Sequence, residues 1–291
     1  YPSPTRFYRD MINKTTDLKI NYIRSLESLG EKNKLSLGIS YVLKTRDYSE
    51  NRFSFVSSGI NYDGNPTNYF SPNNMNIVPG TGLDYLYVRD DTDIQNSYNA
   101  FQSVLGHYAM LDLLPTEFLR INTGVRVEAT NMLLESDIIE EEELSEELQE
   151  NFRGSLDVID VLPSLNMTYT LFEKELQTLN FRFSASQSVA RPLFREKAPF
   201  SVFDFEIQEQ QTGNTDLNRT KVLNIDQRLE FFPYLGEIIS ISGFYKRFTD
   251  PIEQVIISTA SNTEITWKNV DRAELFGAEL EIKKNLGFIN D

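Results

Sequence analysis

Between residues 177 and 231 the chain alternates apolar and polar side chains twice over. In the first stretch Leu179, Phe181, Phe183, Ala185 and Val189 share one parity, and Asn180, Arg182, Ser184, Ser186 and Ser188 share the other. In the second, Leu223, Ile225, Leu229 and Phe231 oppose Asn224, Asp226, Arg228 and Glu230. Strand side chains point to opposite faces with period two, so each stretch predicts a strand with one apolar wall and one strongly polar wall. The period recurs along the chain: Leu18, Ile20 and Tyr22; Leu35, Leu37, Ile39, Tyr41 and Leu43; a run from about Tyr98 to Leu114; Leu119, Ile121, Val125 and Val127; Leu165, Met167, Tyr169 and Leu171; Ile239, Ile241 and Tyr245; Phe276, Ala278, Leu280 and Ile282. These make roughly nine or ten strands, with no helix beyond a turn or two near 139–151.

The connections sort by length. Short turns are expected at SLGEKN (28–33), Pro115-Thr116, EKE (173–175) and Pro233 to Gly236, while 57–95, 135–152 and 192–220 read as long loops and 258–270 as a medium one. Residues 1–15 read as the tail of a loop or an incomplete strand. Short turns on one side and long loops on the other are the habit of outer-membrane barrels, and a soluble sandwich has no reason to sort loops by parity. The strands also reach the roughly 9–11 residues that a spanning strand needs. The expected fold is therefore all-β, an antiparallel transmembrane β-barrel, with the apolar wall on lipid. The competing reading is a soluble or surface-displayed β-sandwich that binds a partner without transport.

Composition changes this picture little. No apolar run approaches the length of a membrane helix and mean hydropathy is −0.38, but a barrel shows lipid only every second residue. Twenty Phe and 14 Tyr supply apolar material for an ordered fold. The net charge of −15 argues against a nucleic-acid partner, which requires a basic face. There is no cysteine, so disulfides and thiolate sites are excluded. The chain begins at Tyr1 without an initiator Met or a signal peptide, as a mature chain or a piece of a longer one does.

If the strands curl into a barrel, the inward parity carries Arg120, Arg126, Glu128, Arg182, Asp226, Arg228, Glu230, Lys246, Glu279 and Glu281. A small barrel pairs such charges with one another, and a large one sets them against water or a plug in the lumen. Arg191-Pro192 and Arg195-Glu196 fall where a strand meets its outer loop, as a ligand contact or as an anchor where proline ends ladder pairing. Tyr62, Tyr69, Phe70, Tyr85 and Tyr87 could stack on a sugar or peptide, or pack their own loop down; Trp267 is a further loop candidate. The acidic run Glu140 to Glu143, with Glu146, Glu147 and Glu150, could bind a divalent cation bridging lipopolysaccharide, but it lacks the oxygen-ligand spacing of a calcium loop and such runs are more often a solvated face. No metal, cofactor or catalytic group is expected. The lone histidine, His107, lies mid-strand on the parity of Phe101, Leu105 and Leu111, away from the polar partners a general base needs.

Five pieces, VLPSLNMTYTL (161–171), LNFRFSASQSVARPLFREKAPF (179–200), TGNTDLNRTKVLNIDQRLEFF (212–232), ISISGFYKRFTDPIEQV (239–255) and NVDRAELFGAELEIKKNL (269–286), resemble the C-terminal half of the barrel in TonB-dependent outer-membrane receptors, especially those of Bacteroidetes. FQSVLGHYAMLDLLPTEFLRINTGVRVEA (101–129) resembles the preceding barrel segment more loosely. The third piece carries Thr215 where the family usually has proline. The resemblance implies a barrel of 22 strands around a plug, of which this chain holds fewer than half the strands, as an interior piece ending Ile289-Asn290-Asp291 would. It further implies energy-coupled uptake of a scarce solute (siderophore, vitamin, glycan or peptide). The implied partners are the outer-membrane lipid, a periplasmic energy-coupling protein reached through the plug, and in some relatives a surface lipoprotein lid.

Overall fold

The computed structural model describes residues 4–27, 30, 32–75, 85–137, 152–204, 209–258 and 263–285. Nine long strands form a continuous antiparallel meander: β1 (Thr5–Ser25), β2 (Lys34–Ser58), β4 (Tyr98–Thr116), β5 (Leu119–Ser136), β6 (Arg153–Lys174), β7 (Gln177–Ala190), β10 (Thr220–Phe232), β11 (Ile238–Thr249) and β14 (Arg272–Lys283). A tenth, β3 (Tyr85–Asp90), pairs with the end of β2 where β4 has left it. A second small sheet, in the order β12 (Ile252–Ser258), β13 (Thr263–Asn269), β9 (Glu209–Thr212), β8 (Ser201–Asp204), is built from the long connections. Two single helical turns complete the described elements, α1 (Pro66–Tyr69) and α2 (Phe194–Lys197), with a 3-10 turn at Ile94–Asn96.

The alternation dictates the faces. Ladder register sets Tyr22 opposite Leu37, Ile20 opposite Ile39 and Leu18 opposite Tyr41, then carries the row on through Ala109, Leu105, Val125 and Val127. These side chains are exposed, Ile20 to 74% and Leu18 to 62%, and no second sheet covers them among the described residues. A water-soluble sandwich would bury that face; a sheet facing lipid presents it. The sandwich reading therefore fails on the large sheet.

Exposed apolar residues are concentrated toward the short turns on several strands, Leu18 to Ile23 at the end of β1, Leu37 to Tyr41 near the start of β2 and Phe276 to Ile282 at the end of β14, while β6 carries them further along at Ile159 and Val161 and β1 also exposes Tyr8, Met11 and Ile12. β2 has 25 residues where about 9–11 cross a bilayer, so its other half stands beyond the lipid. There the faces exchange character. Outward positions become polar (Asn99, Asn131, Glu135, Asp157), and inward ones become apolar and buried (Tyr98, Ala100, Met132, Leu134, Leu156). The uniformly wet interior expected from the alternation thus holds only for the lipid-girdled half.

Several boundaries differ from the sequence reading. The segment read as a loop tail is strand from Thr5, because β2's outer half offers it a partner as far as Ser54. The loop 57–95 contains β3 and α1, and the connection 192–220 contains α2, β8 and β9. Trp267, expected in a loop, lies in β13 opposite Gln254 of β12. Pro115-Thr116 closes β4 rather than turning the chain; the turn falls at Glu117-Phe118. A turn at Glu175-Leu176, with Glu175 at φ 54°, joins β6 to β7. The acidic run 140–150 and the possible helical turns of 139–151 lie outside the described residues.

Two glycines let inward side chains lie flat along the wall. Tyr108 lies across Gly38 and donates its hydroxyl to Asn21 Oδ1 at 2.8 Å. Arg126 lies across Gly106 to reach Ser40 Oγ at 2.7 Å. A Cβ at either position would meet the crossing side chain well inside van der Waals contact.

Candidate functional site

The candidate site is the outer half of the inner wall, where the connection between β7 and β10 folds inward. Pro192 ends the ladder and is itself buried. Beyond it Phe194, Ala198, Phe200 and Val202 pack against the inward apolar residues of β4, β5 and β6. Phe200 stacks on Tyr48 at 6.0 Å and tilts against Tyr98 at 4.9 Å. Apolar burial of this size, about 25 cal/mol per Å² removed from water, drives the loop inward rather than into solvent.

Ion pairs fix the loop at both ends. Arg191 donates to Glu128 Oε2 at 2.5 Å and to Thr130 Oγ1 at 2.8 Å, while the second oxygen of Glu128 takes Arg126 at 2.5 Å. At the far end Arg219 donates to Asp160 Oδ1 at 2.7 Å. Between them Lys197 is 2% exposed, and its ammonium donates to the carbonyls of Thr215 and of Leu217, the latter at 2.7 Å. Burial lowers the Lys197 pKa to about 8, against a smaller opposing pull from Asp216. Below pH about 8 the docked loop carries the full cost of a buried cation, and that cost falls as pH rises towards the ordinary lysine value. Protection of 192–219 from protease is therefore expected to be flat below pH 8 and to improve between pH 8 and pH 10; a decline over that range would contradict it.

Two glycines admit the loop. A Cβ on Gly154 of β6 would sit 2.7 Å from the Lys197 carbonyl oxygen, and one on Gly213 would collide with the backbone of Ala198. Backbone cannot swing aside as a side-chain tip can. Gly213→Ala is expected to cost about 1–3 kcal/mol of loop docking and to open 192–219 to trypsin while the sheet stays intact. Unchanged cleavage would refute the close approach.

The residues singled out from sequence separate into groups. Arg191 and Arg195 both reach the inner wall; Arg195 is part-buried, and desolvation there lowers its pKa; it donates to Gln211 Oε1 at 3.0 Å. Arg126 and Glu128 meet Arg191 there. Arg120 pairs with Asp112 at 2.7 Å near the short turns. Arg182 and Arg228 share Glu230, and Arg228 also pairs with Glu281 at 2.7 Å. Asp226 and Lys246 take inward positions opposite Ser184 and Asn224 and make no ion pair among the described residues. The aromatic loop residues stand elsewhere. Tyr69 is 5% exposed, ringed edge-on by Tyr62 and Phe70, and Phe70 packs on Phe55. Tyr85 and Tyr87 share a face of β3, 5.9 Å apart. Trp267 is held away from these residues in the small sheet, its carbonyl accepting from Asn214 at 2.9 Å.

Sequence reading missed the partners of the loop. Phe194, Phe200 and Lys197 follow no period, and the Glu128–Arg191 pair joins residues 63 apart. The only signal was the inward parity of Glu128. His107 faces outward between Ile39 and Val127 in the ladder, apart from the lumenal polar wall. Among the described residues no three His, Cys, Asp or Glu side chains converge on a metal position.

Two cavities flank the docked loop. One, about 1000 Å³, is lined by groups of both signs, Glu50, Asp91 and Asp93 with Arg52, beside Phe200 and Phe203. The other, about 590 Å³, lies against β1 and β2 and is lined by Lys44, Arg46, Arg191 and Arg195. Both sizes suit a small solute.

Comparison with curated proteins gives no match. Among solved structures, the copper transporter OprC aligns over 94% of this chain and 35% of its own, with 14% identity and a TM-score of 0.55. The ferric-catecholate import receptor Fiu from K12 E. coli, in its closed form, aligns over 96% of this chain and 36% of its own, with 13% identity and a TM-score of 0.50. At such identity the likeness is one of fold, and the chain spans roughly a third of the length of either structure. Residues 1–290 match the family model described as TonB dependent receptor-like, beta-barrel, and the chain belongs to that family.

Proposed function

We propose that this chain is part of the wall and capture surface of a bacterial outer-membrane receptor that imports a scarce solute by energy-coupled transport. Residues 1–291 form part of one barrel domain, to which further strands and a plug are supplied from outside the chain. The family is one of outer-membrane transport receptors coupled to the TonB energy-transducing system. The observation that carries the reading is the pairing of an exposed apolar band beside the short turns with an ion-paired polar wall on the opposite face. Lipid explains the first, and a hydrated passage the second.

Barrel closure is supported by the edges. β1 and β14 each leave one side of the ladder unpaired among the described residues, and open edges are not tolerated in hydrocarbon. By its segment resemblance the receptor is of the Bacteroidetes-like kind, with a siderophore, vitamin, glycan or peptide as solute. A surface lipoprotein lid would seat on the long-loop side. The inner loop narrows the mouth on the capture side, and a plug would transmit occupancy to the periplasmic energy-coupling protein.

The test is uptake by cells that depend on the full-length receptor for a limiting nutrient. Growth should fail when either the receptor or the energy-coupling protein is removed, and the receptor should fractionate with outer membranes and require detergent for extraction. A full-length protein that remains folded and monodisperse in plain buffer would overturn the proposal.

A further inference from the structure

Acidic residues outnumber basic ones in this chain by 43 to 28, yet the 590 Å³ cavity against β1 and β2 has no aspartate or glutamate in its lining. Its inward and loop-borne cations are Lys44, Arg46, Arg191 and Arg195. Elsewhere on the same wall arginines have acids: Arg9 with Glu50, Arg120 with Asp112, Arg182 with Glu230, Arg219 with Asp160. Here the arrangement differs. Arg191 has Glu128, but that carboxylate is already shared with Arg126. Arg46 donates through Nε to Asn13 Oδ1 at 2.7 Å and through Nη1 to the Tyr98 hydroxyl at 3.2 Å, and lies 5.4 Å over the Phe194 ring. Arg195 donates to the neutral Gln211, which in turn donates to the Asp204 carboxylate at 3.1 Å, so an acid reaches this guanidinium only at second hand. Lys44 makes no ion pair among the described residues.

Neutral partners orient a guanidinium without cancelling its charge. Several such cations around one partly desolvated space repel each other, and an anion entering it relieves that repulsion while gaining charge-assisted hydrogen bonds. Arginine's planar fork suits flat oxyanions, and here Phe194 and Asn13 hold one fork in place beforehand.

We infer that this cavity binds a small polyanion, a molecule presenting two or more carboxylate, phosphate or similarly charged oxygen groups. As a statement about the imported solute this rests on the transport reading; as a statement about the cavity it does not. An acidic segment of the receptor outside this chain is the other source of the same chemistry, and the full-length protein distinguishes the two because such a segment would already fill the cavity.

The experiment is calorimetric titration of the full-length receptor in detergent with inorganic pyrophosphate, at low and at high sodium chloride, with sucrose as the uncharged control. Saturable binding is expected, absent for sucrose, weakened by salt, and weakened about tenfold or more in K44Q/R46Q, which removes two of the cations around the cavity. The exposed Lys44 holds nothing in place, so K44Q alone serves if the double variant fails to fold, with a loss of about threefold or more expected. No saturable binding by the wild-type receptor, or unchanged affinity in K44Q, overturns the inference. Failure of energy-dependent uptake with pyrophosphate binding intact would remove the transport role and leave the site standing.

Discussion

Glu128→Leu is expected to release the inner loop and to destabilise the outer half of the wall by about 2–4 kcal/mol. Both oxygens of Glu128 are engaged, one by Arg126 and one by Arg191, each at 2.5 Å, and the residue is only 9% exposed. Removing it leaves two guanidiniums facing each other without an anion. Their residual exposure, 31% and 16% of the side chains, lets water screen part of that penalty, which places the figure below that of a fully buried pair. Arg120→Gln is the control. Its pair with Asp112 is 60% exposed on the arginine side, and its loss should cost about 1 kcal/mol or less. Urea titration in detergent reads stability, and trypsin cleavage within 192–219 reads docking. Equal behaviour of the two variants would mean that Glu128 does not anchor the loop.

This anchor also marks how far the sequence could be read. Period-two alternation located the strands wherever one face meets lipid and the other water, as at Leu179 to Val189 and Leu223 to Phe231. It located them poorly beyond the bilayer. In RFYRDMINKTTD both faces of β1 are polar or exposed, so no contrast remained to signal a strand, although the ladder to β2 is continuous from Thr5 to Ser25. Above the lipid the apolar side turns inward at Met132, Leu134 and Leu156, which alternation records without saying which way is in.

The site was legible only in part for a related reason. Arg191 and Arg195 stood out because a proline and a loop follow a strand, and Glu128 because it shares the inward polar parity of Arg120 and Arg126. Their meeting depends on the loop folding inward, driven by Phe194, Phe200 and Val202, which sit in and beside one helical turn and a four-residue strand, too short a run for a period to show. The tyrosines of the first long loop had two open readings; Tyr69 and Phe70 are spent largely on packing that loop, whereas Tyr85 and Tyr87 remain part-exposed on β3. Hydrogen bonds such as those of Arg46 to Asn13 and Tyr98 span three strands and leave no local trace.

Lipid contact itself makes the second large prediction. Val125 is 40% exposed, faces outward midway between the short turn at Glu117-Phe118 and the outer end of the apolar band, and is flanked in the ladder by Ala109 and Pro163. An arginine placed there meets hydrocarbon with no partner nearby and too far from either interface for its head to reach water easily. Val125→Arg should cost about 2–4 kcal/mol when unfolding is measured from phospholipid bilayers. Asn122→Arg, three residues along the same strand but facing the lumen, should cost little, because its head stays in water there; Asp112, directly opposite, already holds Arg120 on both oxygens and adds only a partial attraction. The contrast matters more than either value, since both variants add the same side chain to one strand and differ only in face. In a bilayer the outward variant should unfold at markedly lower urea than the inward one. If the two unfold alike, or if the inward variant is the weaker, the apolar band does not face lipid, and the polar wall has been assigned to the wrong side of the sheet.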